Sequence, residues 1–252
     1  MLEYSFIFFL FWHRKFKPDI KNYMSVKAHY PKALQIRELE QKITSELNLQ
    51  GFILSRTIWG TSICSDEVNN SFNIFSRLFV GPGPFRFGGI SGLPFTGKTG
   101  VMAFASHIPD KGGAFILYGP HIGVSKEGKS GEILRQRQDS NSTCCGSLIA
   151  GLSAIQNPST IGKETASDYQ QAQVVKMLND ERDQILSADD QIKEVTEKAY
   201  EKIHPQVKEL IHDCKDALVG KKLYLMGGIV INTNWDEEDY FDIRNSEVIE
   251  LT

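Results

Sequence analysis

A chain of 252 residues, 41% of them hydrophobic, is long enough to bury one full-sized core, and a formal net charge of −3 leaves no basic field for nucleic acid. Four cysteines, two of them adjacent, do not make a disulfide framework, which predicts a reducing, cytoplasmic setting. The aromatic run "YSFIFFLFW", Tyr4 to Trp12, falls short of the ~20 apolar residues that a membrane-spanning helix needs.

The basic "HRKFK" follows that run where a signal peptide would place it before, so residues 1–23 are read as an N-terminal extension, disordered or not native. Residues 24–252, from "MSVKAHYPKALQ" onward, are read as a single domain. From Pro31 to Leu49, apolar residues at Leu34, Ile36, Leu39, Ile43 and Leu47 predict one amphipathic helix. "GFILSRTIWGTSICSDE" is rich in β-branched and aromatic residues and predicts a strand ending near Cys64. Next, "GLPFTGKTG" fits a phosphate-loop pattern, but the glycines upstream spoil the feeding strand and Pro109 limits the following helix to about two turns. The stretch is therefore read as a Gly-rich bend that packs under something else, not as a nucleotide site.

"AFILYGPH" is apolar throughout, as expected of a parallel strand covered on both faces, and ends at His121. A polar, Gly-rich segment follows. "CCGSLIAGLSAIQ" then resumes a helical pattern with Cys144 and Cys145 at its start. Residues 167–218 read as a helical layer with a break at Pro205. "KKLYLMGGIVINTN" predicts a third strand interrupted at Gly227-Gly228, and "WDEEDYFDIRNSEVIEL" an edge strand. This alternation predicts an α/β fold, a mostly parallel central sheet flanked by helices, with its ligand site beyond the carboxyl ends of the strands. Cys64 and His121 fall there.

Two cysteines and a histidine from three separate loops make a three-ligand set for zinc, leaving a fourth position for water or substrate. Thiolates bind the metal tightly, and a cysteine at a helix start ionises more readily. Buried cysteines with no metal are the competing reading, as is a metal-free thiol enzyme built on Cys145 and His121.

The motifs "CSDEVN", "GGISGLPFTGKTG", "YGPHIGV" and "STCCG", in this order, resemble the limiting-CO₂-inducible protein B and C family, which is similar to β-type carbonic anhydrases and often assigned to the theta class. The resemblance covers the chain from about Pro31 to the third strand. It implies a β-carbonic-anhydrase-like fold, a Zn²⁺ held by Cys64, His121 and Cys145, and reversible hydration of carbon dioxide to bicarbonate by a zinc-bound hydroxide. A homodimer is also implied. Cys144 competes with Cys145, and only the resemblance selects between them.

Asp66 matches the carboxylate that would orient the attacking oxygen, with helix capping as its alternative role. β-type enzymes place an arginine shortly after that aspartate, whereas here Val68, Asn69 and Asn70 follow and no basic residue appears before Arg77. Arg86 or Arg77 is expected to reach Asp66 through space; otherwise Asp66 turns onto the zinc, giving a non-catalytic member that senses bicarbonate or assembles. His107 is a candidate proton shuttle, with a backbone-bonded loop histidine as the alternative. Tyr118 and Phe95 are read as core, and His204, His212 and Cys214 as packing or surface residues.

Overall fold

The computed structural model describes residues 20–160 and 164–250. Helix α1 spans Ile20–His29, so the boundary predicted at residue 23 falls inside a helix; residues 1–19 lie outside the described residues. The predicted helix from Pro31 begins later, at Ile36, because Leu34–Gln35 (β1) pairs with Phe241 and Tyr240 instead. Helix α2, Ile36–Leu49, starts where the Gln35 N–H donates to Glu38 Oε2 at 3.0 Å, and buries Ile36, Leu39, Ile43 and Leu47.

The remaining strands are β2 (Thr57–Ser62), β3 (Phe85–Arg86), β4 (Gly113–Tyr118), β5 (His121–Gly123), β6 (Glu132–Ile133), β7 (Ser142–Thr143), β8 (Lys222–Asn232) and β9 (Tyr240–Glu250). The main sheet runs in the order β1-β9-β8-β4-β2-β3, with β5 also on β8; β6 and β7 form a separate antiparallel pair. Pairings of β2 with β3, β2 with β4, β4 with β8 and β5 with β8 are parallel, and β9 pairs antiparallel with both β1 and β8.

Alternation along each strand sends side chains to two cores. Trp59, Phe115, Leu117, Tyr224 and Met226 meet α2 and the 3-10 helix Glu67–Arg77 on one face. Ala114, Ile116, Tyr118, Leu223 and Leu225 meet the other helices: α3 (Gly97–His107), α4 (Gly146–Gln156), α5 (Tyr169–Asn179), α6 (Arg182–Ser187) and α7 (Gln191–Asp213). The fold is mixed α/β, a central mostly parallel sheet flanked by helices.

Three local expectations are corrected. Gly227-Gly228 does not interrupt β8; a register shift there leaves Arg244 as an extra residue in β9, so that Ile243 and Val248 face the same core despite their opposite parity. Pro205 does not break α7. Losing one donor there costs an interior helix about 3 kcal/mol, and the buried stripe of Ile203, Val207 and Ile211 across the proline holds the helix together. The helical layer breaks instead at Asp180–Glu181 and Ala188–Asp190. Finally, the helix after "GLPFTGKTG" is longer than expected, at 11 residues, but its feeding strand β3 has two residues and Lys98 Nζ is held by Asp213 at 2.8 Å.

The bend itself packs under the end of β4. Gly92 (φ +86°) and Gly119 (φ +145°) occupy backbone conformations that disfavour side chains, and a Cβ on either would collide with a carbonyl oxygen, that of Gly119 and of Gly228 respectively. Gly119–Pro120 lets β4 lapse and resume as β5 in the same register on β8, Tyr118 opposite Gly227 and His121 opposite Val230. His121 is thereby carried past the end of β2.

Candidate metal centre

Beyond the carboxyl end of β2, Cys64 meets His121 at the start of β5 and Cys145 at the residue before α4. One ligand atom from each lies within 4.8 Å of the others, and all three residues are buried. The two sulfurs are 3.9 Å apart. Tetrahedral zinc with Zn–S bonds of about 2.3 Å separates two sulfurs by about 3.8 Å, so this spacing fits the ion.

The imidazole supplies the stronger observation. His121 Nδ1 lies 2.7 Å from Asn232 Oδ1, while Nε2 is buried with no hydrogen-bond partner. Asn232 is oriented by its own Nδ2, which donates to Asn69 Oδ1 and Asp239 Oδ2 at 3.3 Å each. Its oxygen must therefore face the ring, Nδ1 carries the proton, and the Nε2 lone pair is left bare. A buried acceptor with no donor is costly unless a metal completes it.

Cys144 sits on the other side of the ring, with Sγ 3.5 Å from His121 Nδ1 and 3.5 Å from Asn232 Oδ1. Geometry thus separates the adjacent cysteines: Cys145 groups with Cys64 and His121, and Cys144 backs the Nδ1 edge. Cys145 is held below the usual thiol range by accepting from Cys64 and from the Leu148 and Ser147 N–H groups of α4, against its burial. The Cys64 thiol is pushed up, by donating to Cys145 and by burial, so the metal-free pair shares a proton with the charge on Cys145. The Gly-rich bend walls this pair, its Ser91 N–H donating to Cys64 Sγ at 3.2 Å and its Ser91 Oγ lying 2.9 Å from Ser147 Oγ.

Asp66 leads into the 3-10 helix and accepts from the Val68 N–H at 3.4 Å, so it does cap that helix. Its Oδ2 also lies 3.9 Å from His121 Nε2, at the edge of the ligand set. The arginine that holds it is Arg135, not Arg86 or Arg77. Arg135 Nη2 donates to Asp66 Oδ1 at 3.2 Å and Oδ2 at 3.0 Å. Burial opposes ionisation of Asp66, but its hydrogen bonding with Glu67, the Arg135 guanidinium and the Val68 N–H outweigh it, and the carboxyl lies below its usual range.

Arg86, on the edge strand β3, instead donates to Asn73 Oδ1 at 3.2 Å, and Arg77 pairs with Glu40. His107 is also displaced from its expected role. It is the exposed last residue of α3, its ring 6.2 Å from that of Phe85, and it leads to the amino end of β4 whereas the metal ligands lie past the carboxyl end, about 20 Å along a six-residue strand.

The model of the family described as limiting CO2-inducible proteins B/C beta carbonic anhydrases matches residues 33–250. The chain belongs to this family. Among solved structures, it is similar to PtLCIB4, a homolog of the limiting CO2-inducible protein LCIB, with a TM-score of 0.85 and 31% identity over 90% of this chain and 95% of that one. LCIB itself matches with a TM-score of 0.67 and 21% identity over 89% of this chain and 97% of that one, a likeness of fold. Comparison with curated proteins gives no match.

In this limiting CO2-inducible protein B/C member, sequence reasoning missed Arg135 and Asn232. Arg135 lies in the polar segment between β5 and α4, 69 residues from Asp66, with Arg137 close by and no periodicity to single it out. Asn232 ends a strand 111 residues from His121. The sole signal for it is a polar residue closing an otherwise apolar run.

Proposed function

We propose that this chain is a zinc carbonic anhydrase interconverting carbon dioxide and bicarbonate, with Cys64, His121 and Cys145 as the metal ligands. The observation that carries the proposal is the unpartnered Nε2 of His121, in a buried Cys-His-Cys group whose two sulfurs lie at zinc-compatible spacing. Zinc, when bound, lowers the pKa of water towards about 7 and so supplies a hydroxide nucleophile at neutral pH.

The chain's own residues do the rest. Asn232 fixes the His121 tautomer, and the Ser91 N–H and the amino end of α4 stabilise thiolate charge on Cys64 and Cys145. Asp66, held ionised by Arg135, would accept a hydrogen bond from the attacking oxygen's O–H and so turn that oxygen's lone pair towards carbon dioxide. Arg135 keeps both Asp66 oxygens engaged, which holds the carboxylate off the metal and the fourth position open to substrate. The Gly-rich wall keeps the pocket small.

A non-catalytic zinc protein is the second reading, favoured by the closeness of Asp66 to His121: Asp66, His121 and Cys144 also form a group with ligand atoms within 4.8 Å of one another. Elemental analysis together with stopped-flow carbon dioxide hydration tests both. One zinc per chain with hydration well above buffer supports the enzyme; one zinc with buffer-level rates supports the closed site; no zinc removes both. A homodimer is part of the proposal, and sedimentation at micromolar concentration checks it.

A further inference from the structure

The metal-facing ligands are sealed, with His121 0%, Cys145 3% and Cys64 6% exposed. A cavity of about 430 Å³ lies on the far side of Arg135 from them, lined by Glu67, Ser71, Arg135, Gln136, Trp235 and Asp239 among others. Between cavity and ligands stands the Asp66–Arg135 pair. Every N–H of the guanidinium has an acceptor: Nε donates to Glu67 Oε1 at 2.8 Å, Nη1 to Ser142 Oγ at 2.8 Å and Thr143 O at 2.9 Å, and Nη2 to both Asp66 oxygens.

These acceptors differ in one respect. Asp66 faces inward at 14% side-chain exposure, whereas Glu67 faces the cavity at 69%. An exposed ion pair is the weakest of the set and the first to exchange. Glu67 holds Arg135 through Oε1 of its carboxylate, a planar group of the same charge and local O–C–O shape that bicarbonate presents.

Resting on the carbonic anhydrase reading, we propose that this cavity is the vestibule of the metal centre and that Glu67 is its latch: a small oxyanion of bicarbonate's shape displaces Glu67 from Arg135 on its way in or out. The guanidinium then serves two carboxylate-like groups in turn, the fixed Asp66 on its inner side and either Glu67 or the travelling anion on its outer side. No bond is made or broken, and Arg135 acts as a positioning residue.

The test uses the full metal-free chain, so it does not depend on zinc loading or turnover. Iodoacetamide labelling of Cys64, Cys145 and the remote Cys214 is followed by peptide mass spectrometry in wild type, Glu67→Gln and Gln136→Trp. Glu67→Gln is expected to label Cys64 and Cys145 about two- to five-fold faster with Cys214 unchanged, and Gln136→Trp, which fills the vestibule, to slow the same two sites. Bicarbonate titrated against Trp235 fluorescence, with Trp235→Phe as the blank, is expected to bind Glu67→Gln about two- to five-fold more tightly than wild type. Unchanged labelling in Glu67→Gln, acceleration at all three cysteines, or equal bicarbonate affinity overturns the latch. Absence of zinc in the native protein would overturn the enzyme reading and leave these labelling and titration results to decide the latch separately.

Discussion

Asn232→Ala is the sharpest perturbation of the metal centre, because it replaces no proposed ligand and acts on one only through a hydrogen bond. The substitution removes the acceptor of the His121 Nδ1–H and the donor shared by Asn69 Oδ1 and Asp239 Oδ2. A buried polar group left without its partner costs about 1–3 kcal/mol, and Asp239 keeps Ser71 and Thr233 as donors, so the metal-free protein is expected to lose about 2–4 kcal/mol. With the tautomer released, Nε2 carries the proton part of the time and competes with the metal. Partners of this kind are worth about 10- to 100-fold in metal affinity, so zinc binding should weaken by that factor. Urea unfolding of the metal-free form reads the first quantity, and competition with a chromophoric chelator reads the second. Asn232→Asp keeps the acceptor but sets a carboxylate beside Asp239, and is expected to retain zinc better than Asn232→Ala while still losing stability. A folded Asn232→Ala protein with zinc affinity within about two-fold of wild type would refute the claim that this side chain sets the ring's proton.

The other predictions concern the same network. Arg135→Ala should leave zinc bound but lower carbon dioxide hydration by about 100-fold or more, because Asp66 is freed to turn onto the metal; the visible spectrum of the cobalt-substituted protein would show the altered coordination. Cys145→Ser should abolish stoichiometric zinc and Cys144→Ser should retain it, measured by elemental analysis, since the Cys144 sulfur lies on the Nδ1 edge of the imidazole. Burial pushes the Asp239 carboxyl up from 3.8 to about 6, against its hydrogen bonds from Ser71, Thr233 and Asn232. Between pH 4 and 6 the folded state therefore binds more protons than the unfolded one, and this group's contribution to stability falls as pH rises, by about 3 kcal/mol across that window. Asp239→Asn should remove that part of the slope in urea unfolding followed against pH.

Much of the scaffold can be read along the chain because its signals are local. The 3.6-residue spacing of Leu39, Ile43 and Leu47 marks α2, the unbroken apolar run of β4 marks a strand covered on both faces, and these two periodicities with those of β2 and β8 suffice for a layered α/β fold. Pro205 shows where local rules yield: its cost is of the same order as the burial of one or two of the aliphatic side chains on the stripe that α7 lays on the sheet, so packing decides.

The order of the elements along the chain also put Cys64 and His121 at strand ends and Cys145 at a helix start, since strand polarity and helix caps are written in adjacent residues. Their neighbours were settled elsewhere. Arg135 reaches Asp66 because the β6–β7 pair folds a polar segment back over the 3-10 helix, and Asn232 reaches His121 because β8 pairs with β5 in one register, Gly123 opposite Asn232. Register is chosen by the fit of two cores on either side of the sheet, a sum over dozens of contacts distant in sequence. No window of neighbouring residues contains that sum, so the charge partner and the proton-setting amide became visible only once the sheet was assembled.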